Sequence, residues 1–298
     1  MQIVRIGGET VSGRLRRAGL GGMTRSNPFA RELRGIFRAA RLAVTNLRLG
    51  WVARRLGPFD VIHAHDFDTL VAAQLARGRA RLVYDAHELY ADQEPDAPRL
   101  FQTCVRLIEG PLARRSDAVV TVDDELATEL QGSLRLPRRP HVVLSCPRLA
   151  PVDPAARGDG RLRAVYQGAM GPGRRLSDLL DALEQAADVE LTIRVVNADL
   201  DELRRAVSNR GLSDRIEVAD PVAPDRLVQA AADFHVGLVI NRPVTRNDEL
   251  VLPNKFFEYL MAGLAVVAPR LPALAPLVEG EGVGLTYEPG APETLGAA

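Results

Sequence analysis

The chain has 298 residues, of which 46% are apolar and 26% charged; this is typical of a globular protein long enough for two domains. No stretch approaches the roughly 20 apolar residues of a membrane span, and the N-terminus lacks a signal-peptide pattern. Two cysteines, Cys104 and Cys146, are too few for a disulfide framework or a cysteine-based zinc site. We therefore expect a cytoplasmic location, with the inner face of the membrane as a possible site of peripheral contact.

The formal net charge of +0 hides an uneven distribution along the chain. Residues 1–55 contain 12 arginines and only two acidic residues, Glu9 and Glu32, whereas the remainder carries the compensating negative charge. This asymmetry predicts an anionic partner for the N-terminal part.

A strand candidate at Gln2–Ile6 is followed by a loop rich in glycine and arginine, and then by a long helix predicted over residues 29–56. The helix has two stripes at a spacing of three to four residues. One is apolar, with Leu33, Phe37, Ala40, Val44, Leu47 and Trp51; the other is basic, with Arg34, Arg38, Arg41, Arg48 and Arg55. The pattern fits a core helix with a solvated basic face, which is the favoured interpretation, or a helix that contacts anionic lipid.

From residue 60 onward, short β-branched runs alternate with amphipathic helical stretches, which predicts parallel sheets covered by helices. The stretch 147–160 contains three prolines and two glycines without periodicity, as linkers do. We therefore predict an α/β chain with two Rossmann-like domains, 1–150 and 151–298. In such sheets ligands bind beyond the carboxyl ends of the strands. The predicted strands are 60–64, 81–85, 117–122, 141–144, 162–167, 189–196, 215–218, 234–240, 265–268 and 283–287.

A glycine-rich loop follows the strand 162–167 and leads into a helix. Its small residues let backbone N–H groups approach an anion, and two arginines stand where the helix begins. The loop lacks the Gly-Lys-Ser/Thr ending of a Walker loop and the three-glycine spacing of dinucleotide sites. The residues that we expect to bind a phosphate here are Gly168, Gly171, Gly173, Arg174 and Arg175.

Lys255 is the only lysine in a chain with 37 arginines, and it lies where a loop turns into a helix. A compact ammonium and a planar guanidinium are not interchangeable at an anion site, so we expect Lys255 and Asn254 to bind an anion. Glu258 follows by three residues on the same face, where it either binds a ribose diol or pairs with Lys255. The segment predicts a pocket for a nucleoside diphosphate.

In the first half, two neighbouring strands end in His65-Asp66 and in His87-Glu88. The spacing fits no H-E-x-x-H arrangement, and both histidines could cap strands, so we expect no metal. His63 and His235 lie inside predicted strands and are expected to pack. No G-x-S-x-G elbow is present, which disfavours a serine hydrolase.

Four runs of the chain resemble family 4 of the retaining GT-B glycosyltransferases. The resemblance implies two Rossmann domains facing across a cleft, with the acceptor in the first and a nucleotide-sugar donor in the second. It also implies that Glu258 binds the donor ribose, that Arg174 or Arg175 and Lys255 bind the diphosphate, and that His87 lines the reaction centre. The runs are DVIHAHDFDTLVAAQLARG, RLVYDAHELY, YQGAMGPGRRLSDLLDAL and LPNKFFEYLMAGLAVVAPRLPAL.

The chain departs from the family pattern in several places. Leu250 stands where the family often has a sugar-contacting glutamate, and Asn197 stands where a loop usually carries glycine. The family's acceptor loop and final helices are not evident, so we expect an incomplete N-terminal domain and a missing C-terminal brace.

The sequence thus predicts transfer of a hexose from a nucleotide diphosphate sugar to an acceptor hydroxyl with retention, for envelope glycan or exopolysaccharide synthesis. Expected partners are the donor, a sugar or lipid-linked acceptor and an anionic membrane, without nucleic acid or a cofactor. Arg174, Lys255 and the helix start would stabilise the leaving diphosphate, and His87 would orient the sugar. Alternatives are a non-catalytic nucleotide-sugar-binding subunit, a truncated inactive homologue and a sugar-nucleotide epimerase.

Overall fold

The computed structural model describes residues 28–152, 161–170 and 175–298, with side chains described from residue 31. Two compact units are present. The first contains the described residues up to Val122 and Leu126–Val142, and the second contains Asp123–Glu125 and the described residues from Val143 to Ala298. The predicted strand Gln2–Ile6 lies outside the described residues, as do Gly171, Gly173 and Arg174.

The first unit contains a four-stranded parallel sheet in the order β1-β2-β3-β4. Helices connect its strands, as the alternating sequence pattern predicted. The carboxyl ends of β1 and β2 lie side by side, with His65 opposite Asp85, so the residues that end both strands share one edge of the sheet. The elements are α1 Pro28–Leu56, β1 Val61–His65, α2 Phe67–Ala76, β2 Arg81–Ala86, α3 Arg99–Ala113, β3 Ala118–Thr121, α4 Asp124–Ser133 and β4 His141–Val142.

The predicted apolar core face of α1 is wrong. Phe37 is 67% exposed and Trp51 is 56% exposed, and the other members of that stripe are exposed as well. The buried face is lined instead by Gly35, Asn46 and Gly50. These positions were misread because small and polar residues give no apolar signal, yet they allow close contact with the neighbouring helices.

The contacts of the buried face explain why small and polar residues occupy it. A Cβ atom on Gly35 would lie 2.6 Å from Cβ of Pro98, and one on Gly50 would lie 2.9 Å from Cβ of Leu75. The Nδ2 atom of Asn46 donates to the carbonyl of Asp68 at 2.8 Å, and its Oδ1 accepts from the backbone N–H of Ala72 at 2.8 Å. Helix α1 therefore packs on α2 through its backbone and one satisfied amide, and leaves its largest apolar side chains exposed.

The second unit contains a six-stranded parallel sheet in the order β10-β9-β8-β5-β6-β7. Apolar side chains form a buried cluster on each side of the sheet, as in a sheet covered by helices on both faces. Its elements are β5 Leu162–Ala169, α5 Leu176–Gln185, β6 Val189–Val196, α6 Leu200–Asn209, β7 Ile216–Ala219, α7 Leu227–Ala231, β8 Val236–Leu238, α8 Arg246–Glu249, α9 Asn254–Met261, β9 Ala265–Pro269, α10 Ala275–Gly280, β10 Gly284–Tyr287 and α11 Pro292–Ala297.

The predicted α/β class with two parallel sheets is confirmed. Asn197, which stands where the family usually has glycine, has a φ of 62°. Asparagine is one of the few residues that adopts this left-handed conformation readily, so the substitution preserves the backbone path of the loop after β6.

Candidate functional site

Two segments that are 87 residues apart in sequence meet in the second unit, at the carboxyl end of β5. Gly168 has a φ of 134°, a conformation that side chains with a Cβ rarely adopt. A Cβ atom placed on Gly168 would lie 2.9 Å from Nζ of Lys255. The glycine therefore lets the backbone after β5 pass close to the ammonium group that begins helix α9.

Lys255 is a buried cation. It is only 9% exposed, and its Nζ atom lies 4.0 Å from the ring centroid of Tyr166, a geometry in which the aromatic ring attracts the positive charge. The hydroxyl of Tyr166 donates to the carbonyl of Ala169 at 3.0 Å, which holds the ring beneath the loop. A buried ammonium costs free energy unless other groups stabilise its charge. An anionic ligand would add to the stabilisation that the Tyr166 ring gives this charge.

Glu258 lies one helical turn after Lys255, and burial raises the pKa of its carboxyl group above its ordinary value. Two neighbours oppose that effect: the Nε2 atom of Gln167 donates a hydrogen bond of 3.2 Å to Oε2, and the charge of Lys255 lowers the pKa. The carboxylate is thus oriented from β5 and remains partly exposed, as a group that binds a diol requires.

Gln167 is a residue that sequence reasoning missed. It is 1% exposed, and its backbone N–H donates to the hydroxyl of Tyr259 at 2.9 Å. Its Nε2 atom also reaches the carbonyl of Leu227 at 3.3 Å. Within the described residues, its buried Oε1 atom has no hydrogen-bond partner. The available signal was a polar residue near the end of a strand, immediately before the glycine-rich loop.

The other predicted residues of this site are placed as follows. Asn254 is exposed at the first position of α9, and Arg175 is exposed immediately before α5. The structure therefore brings Gly168, Lys255 and Glu258 together, with Asn254 adjacent. Their roles as ligand-binding residues remain predictions.

An open cavity of about 520 Å³ lies within the second unit, and it is lined by Glu258 and Asn254 but not by Gly168 or Lys255. The stretch 145–151, which has no regular secondary structure, also lines it. Pro224, Asp225, Val228 and Gln229 complete the lining. A cavity of this size, with a small number of polar groups, has the dimensions of a small-molecule site.

In the first unit, His87 follows β2 and is exposed at the carboxyl edge of the sheet. Its backbone N–H donates to Oδ1 of Asp66 at 2.9 Å, and its Nε2 atom lies 3.3 Å from Oδ2 of Asp85. The expectation that His63 packs inside β1 is wrong. Its side chain is 47% exposed, and its Nε2 atom lies 3.1 Å from the same Asp85 oxygen. Alternate residues of a strand point to the same face, and the face of β1 that carries His63 and His65 is exposed.

Family models match both halves of the chain. Residues 2–147 match a model described as a glycosyl transferase 4-like domain, and residues 161–298 match a model of group 1 glycosyl transferases. The two matches together cover nearly the whole sequence, and the architecture is that of two parallel α/β sheets. The chain belongs to the GT-B glycosyltransferases. No curated protein sequence matches it.

Several solved structures have the same fold. The structure of Anabaena HepE in complex with UDP-glucose matches with a TM-score of 0.62 and 19% identity, over 85% of this chain and 70% of HepE. Sucrose-phosphate synthase from Thermosynechococcus elongatus matches with a TM-score of 0.64 and 16% identity, over 80% of this chain and 63% of its own. The lipopolysaccharide outer core galactosyltransferase WaaB matches with a TM-score of 0.61 and 13% identity, over 87% of this chain and 70% of WaaB.

Among the described residues, no helix is both long enough and apolar enough to cross a bilayer.

Proposed function

We propose that the chain transfers a hexose from a nucleoside diphosphate sugar to an acceptor hydroxyl, with retention at the anomeric carbon. The observation that supports this best is the convergence of a buried ammonium, Lys255, with the tight backbone of Gly168 at the end of a parallel strand. Such a convergence provides fixed positive charge and backbone N–H groups for a diphosphate.

Glu258, the carboxylate next to Lys255 on α9, has the chemistry to bind the ribose of the nucleotide. Glu258 faces the 520 Å³ cavity with its carboxylate oriented by Gln167, and two ribose hydroxyls would donate hydrogen bonds to it. HepE, which has the same fold, was solved with UDP-glucose bound, and this supports a nucleotide sugar as donor.

The proposed chemistry is electrostatic. As the glycosidic bond breaks, negative charge develops on the leaving diphosphate, and fixed positive groups stabilise that charge more in the transition state than in the ground state. Lys255 and the start of α9 supply this charge, with Arg174 and Arg175 added from the sequence pattern. In a same-face displacement, the departing phosphate oxygen accepts the proton of the acceptor hydroxyl, and the new bond forms on the face that the phosphate leaves. His87 orients the transferred sugar.

We place the acceptor at an anionic membrane surface on the inner side of the membrane. The exposed stripe of α1 repeats as in a heptad, and Arg34, Arg41, Arg48 and Arg55 recur every seven residues beside it. This row of like charges would repel a second copy of the same helix, whereas it attracts anionic lipid headgroups. WaaB, with the same fold, is a lipopolysaccharide galactosyltransferase, which supports envelope glycan synthesis as the setting.

A thermal-shift panel of UDP, GDP, ADP and TDP tests the proposed function. A ligand at 100 times its dissociation constant adds about 2.7 kcal/mol to the free energy of unfolding, which is readily measured. We expect one base to raise the melting temperature clearly above the others. Binding without any transfer or donor hydrolysis would favour the non-catalytic nucleotide-sugar-binding subunit. The absence of a shift with all four nucleotides would contradict both functions.

A further inference from the structure

Three histidines and one aspartate meet at the carboxyl edge of the first sheet. His63 and His65 lie two residues apart on β1 and therefore point to the same face. Their rings stack with centroids 4.4 Å apart. Asp85 pairs in register with His65 on the neighbouring strand, and His87 follows β2 directly. Their positions on two strands match no linear metal motif, so the sequence alone predicts strand caps or packed residues.

The donor atoms form a regular arrangement around one carboxylate oxygen. Oδ2 of Asp85 lies 3.3 Å from Nδ1 of His65 and 3.3 Å from Nε2 of His87, and these two nitrogens are also 3.3 Å apart. The three atoms are therefore the corners of a nearly equilateral triangle. The Nε2 atom of His63 lies 3.1 Å from the same oxygen.

Four of the six distances between these ligand atoms match those of a tetrahedral metal site. With bonds of about 2.0–2.1 Å, the ligand atoms around Zn²⁺ are separated by about 3.3 Å. A ligand atom from each of His63, His65 and Asp85 lies within 4.8 Å of the others, so modest rotations of the half-exposed rings would let them converge. Imidazole nitrogen and carboxylate oxygen are among the ligands that Zn²⁺ prefers.

We propose that His63, His65, Asp85 and His87 bind a divalent transition-metal ion, with Zn²⁺ as the best match. Hydrogen bonds fix the backbone at His65 and at His87. The hydroxyl of Thr69 donates to the carbonyl of His65 at 2.6 Å, and Asp66 accepts from the N–H of His87 at 2.9 Å. The imidazole side chains are between 42% and 58% exposed, so an ion has a direct path from solvent.

This site has a consequence for the proposed transfer reaction. A bound ion would occupy the ring nitrogen of His87 and prevent that ring from orienting the sugar. We therefore expect micromolar Zn²⁺ to inhibit transfer reversibly, with recovery on addition of a chelator. Binding of the ion itself does not depend on the proposed function, because all four ligands lie in the first unit.

Titration of the chelator-treated full chain with Zn²⁺ by calorimetry tests the proposal. We expect one equivalent to bind saturably, and Co²⁺ to give the intense visible absorption of a tetrahedral site. His65→Ala and Asp85→Asn should each weaken binding by more than about 100-fold, since loss of an outer-shell partner alone costs about 10–100-fold. His141→Ala is the matched control, because His141 is exposed at the start of β4 in the same unit and should bind Zn²⁺ as the unmodified chain does.

Circular dichroism confirms that each variant is folded before titration. Failure of the unmodified chain to bind either metal saturably would overturn the proposal, as would equal affinity in His65→Ala, Asp85→Asn and the control. If Zn²⁺ binds and no nucleotide does, the metal site stands and the proposed transferase function falls.

Discussion

The Nζ atom of Lys255 lies 4.0 Å from the centre of the Tyr166 ring, and both residues are buried. A lysine held in this way differs from a surface lysine, because its ammonium is fixed beneath the loop at Gly168 before any ligand arrives. Preorganised charge of this kind stabilises a transition state without further reorganisation. The only lysine of an arginine-rich chain occurs at this position.

The first prediction concerns the close approach at Gly168. In Gly168→Ala, the new Cβ would lie 2.9 Å from Nζ of Lys255 on a backbone that disfavours it, so the loop or the lysine must shift. We expect nucleotide affinity to fall by at least about tenfold, since a displaced Lys255 ammonium would lose a charge-assisted hydrogen bond to the phosphate, worth about 1.5–3 kcal/mol. Isothermal titration calorimetry with the preferred nucleoside diphosphate measures this.

Gly211→Ala is the control for that experiment. Gly211 also has a positive φ, of 66°, but a Cβ there meets nothing within 4 Å. Gly211→Ala should lower the free energy of unfolding slightly, while nucleotide affinity remains unchanged. Equal affinity losses in both variants would mean that strain, and not the contact with Lys255, causes the effect.

The second prediction concerns Glu258 and the ribose. Hydrogen bonds to a charged group contribute about 1.5–3 kcal/mol, so a 2′,3′-dideoxynucleoside diphosphate should bind the unmodified chain about 10–150-fold more weakly than the ordinary nucleotide. Glu258→Gln should bind both nucleotides with nearly equal affinity. Glu249→Gln, at an exposed ion pair with Arg246, should retain the full preference. A preference retained in Glu258→Gln would remove the ribose-binding role.

The affinity for the ordinary nucleotide should also depend on pH. Burial raises the pKa of Glu258, so its carboxylate protonates at a higher pH than an exposed glutamate. Diol binding to the ionised form is therefore lost as the pH falls through this raised pKa. Affinities measured from about pH 8 down to about pH 5 should decline in the unmodified chain and be flatter in Glu258→Gln.

The third prediction concerns stability. Glu109 is 3% exposed in α3, where burial raises the pKa of its carboxyl group to about 7, and the hydroxyl of Tyr84 donates to it at 2.6 Å. Because this folded-state pKa lies above the unfolded value, the stability that protonated Glu109 contributes is complete at low pH. That stability is lost as the pH rises through about 7.

Glu109→Gln keeps an acceptor for Tyr84 and removes the charge. Relative to the unmodified chain, we expect it to gain stability between about pH 5 and pH 8, by an amount on the order of 3 kcal/mol at the upper end. Denaturant unfolding at several pH values measures this. Glu125→Gln, at an exposed position of α4, should show no such difference. A constant offset between the two chains at all pH values would contradict the assignment.

The fourth prediction concerns α1 and the membrane. Each basic residue near an anionic surface contributes about 1 kcal/mol, so the double variant Arg41→Glu, Arg48→Glu should weaken binding to anionic vesicles by about 30-fold or more. Flotation with phosphatidylserine vesicles at low salt provides the measurement. The matched control is Arg138→Glu, Arg205→Glu, which makes the same change of charge at exposed positions elsewhere. Equal binding by both variants, or no binding by the unmodified chain, would contradict a role for this helix.

The sequence predicted the fold well because alternation of β-branched runs and amphipathic helices is a local signal. Strand β6 has the predicted bounds, 189–196, and the other strands differ by a few residues. Helix α1 was oriented wrongly, because its packing depends on Gly35, Asn46 and Gly50, whose contacts come from other helices. Periodicity reports where apolar residues recur, and it does not report which face a neighbouring helix covers.

The candidate site was predictable only in part. The unusual composition identified Lys255, and its loop position suggested Glu258. The burial of the lysine, its contact with Tyr166 and the orientation of Glu258 by Gln167 depend on the pairing of β5 with distant segments, which no local pattern contains. The same holds for the histidine cluster, which parallel pairing of β1 and β2 assembles.

The role of Lys255 is measured most simply by its contribution to binding of the second phosphate. Calorimetry would compare the preferred nucleoside diphosphate with its monophosphate, in the unmodified chain and in Lys255→Met. We expect the unmodified chain to prefer the diphosphate by at least about tenfold, a difference of about 1.4 kcal/mol. Lys255→Met should lose this preference while it still binds the monophosphate. An undiminished preference for the diphosphate in Lys255→Met would contradict the central claim.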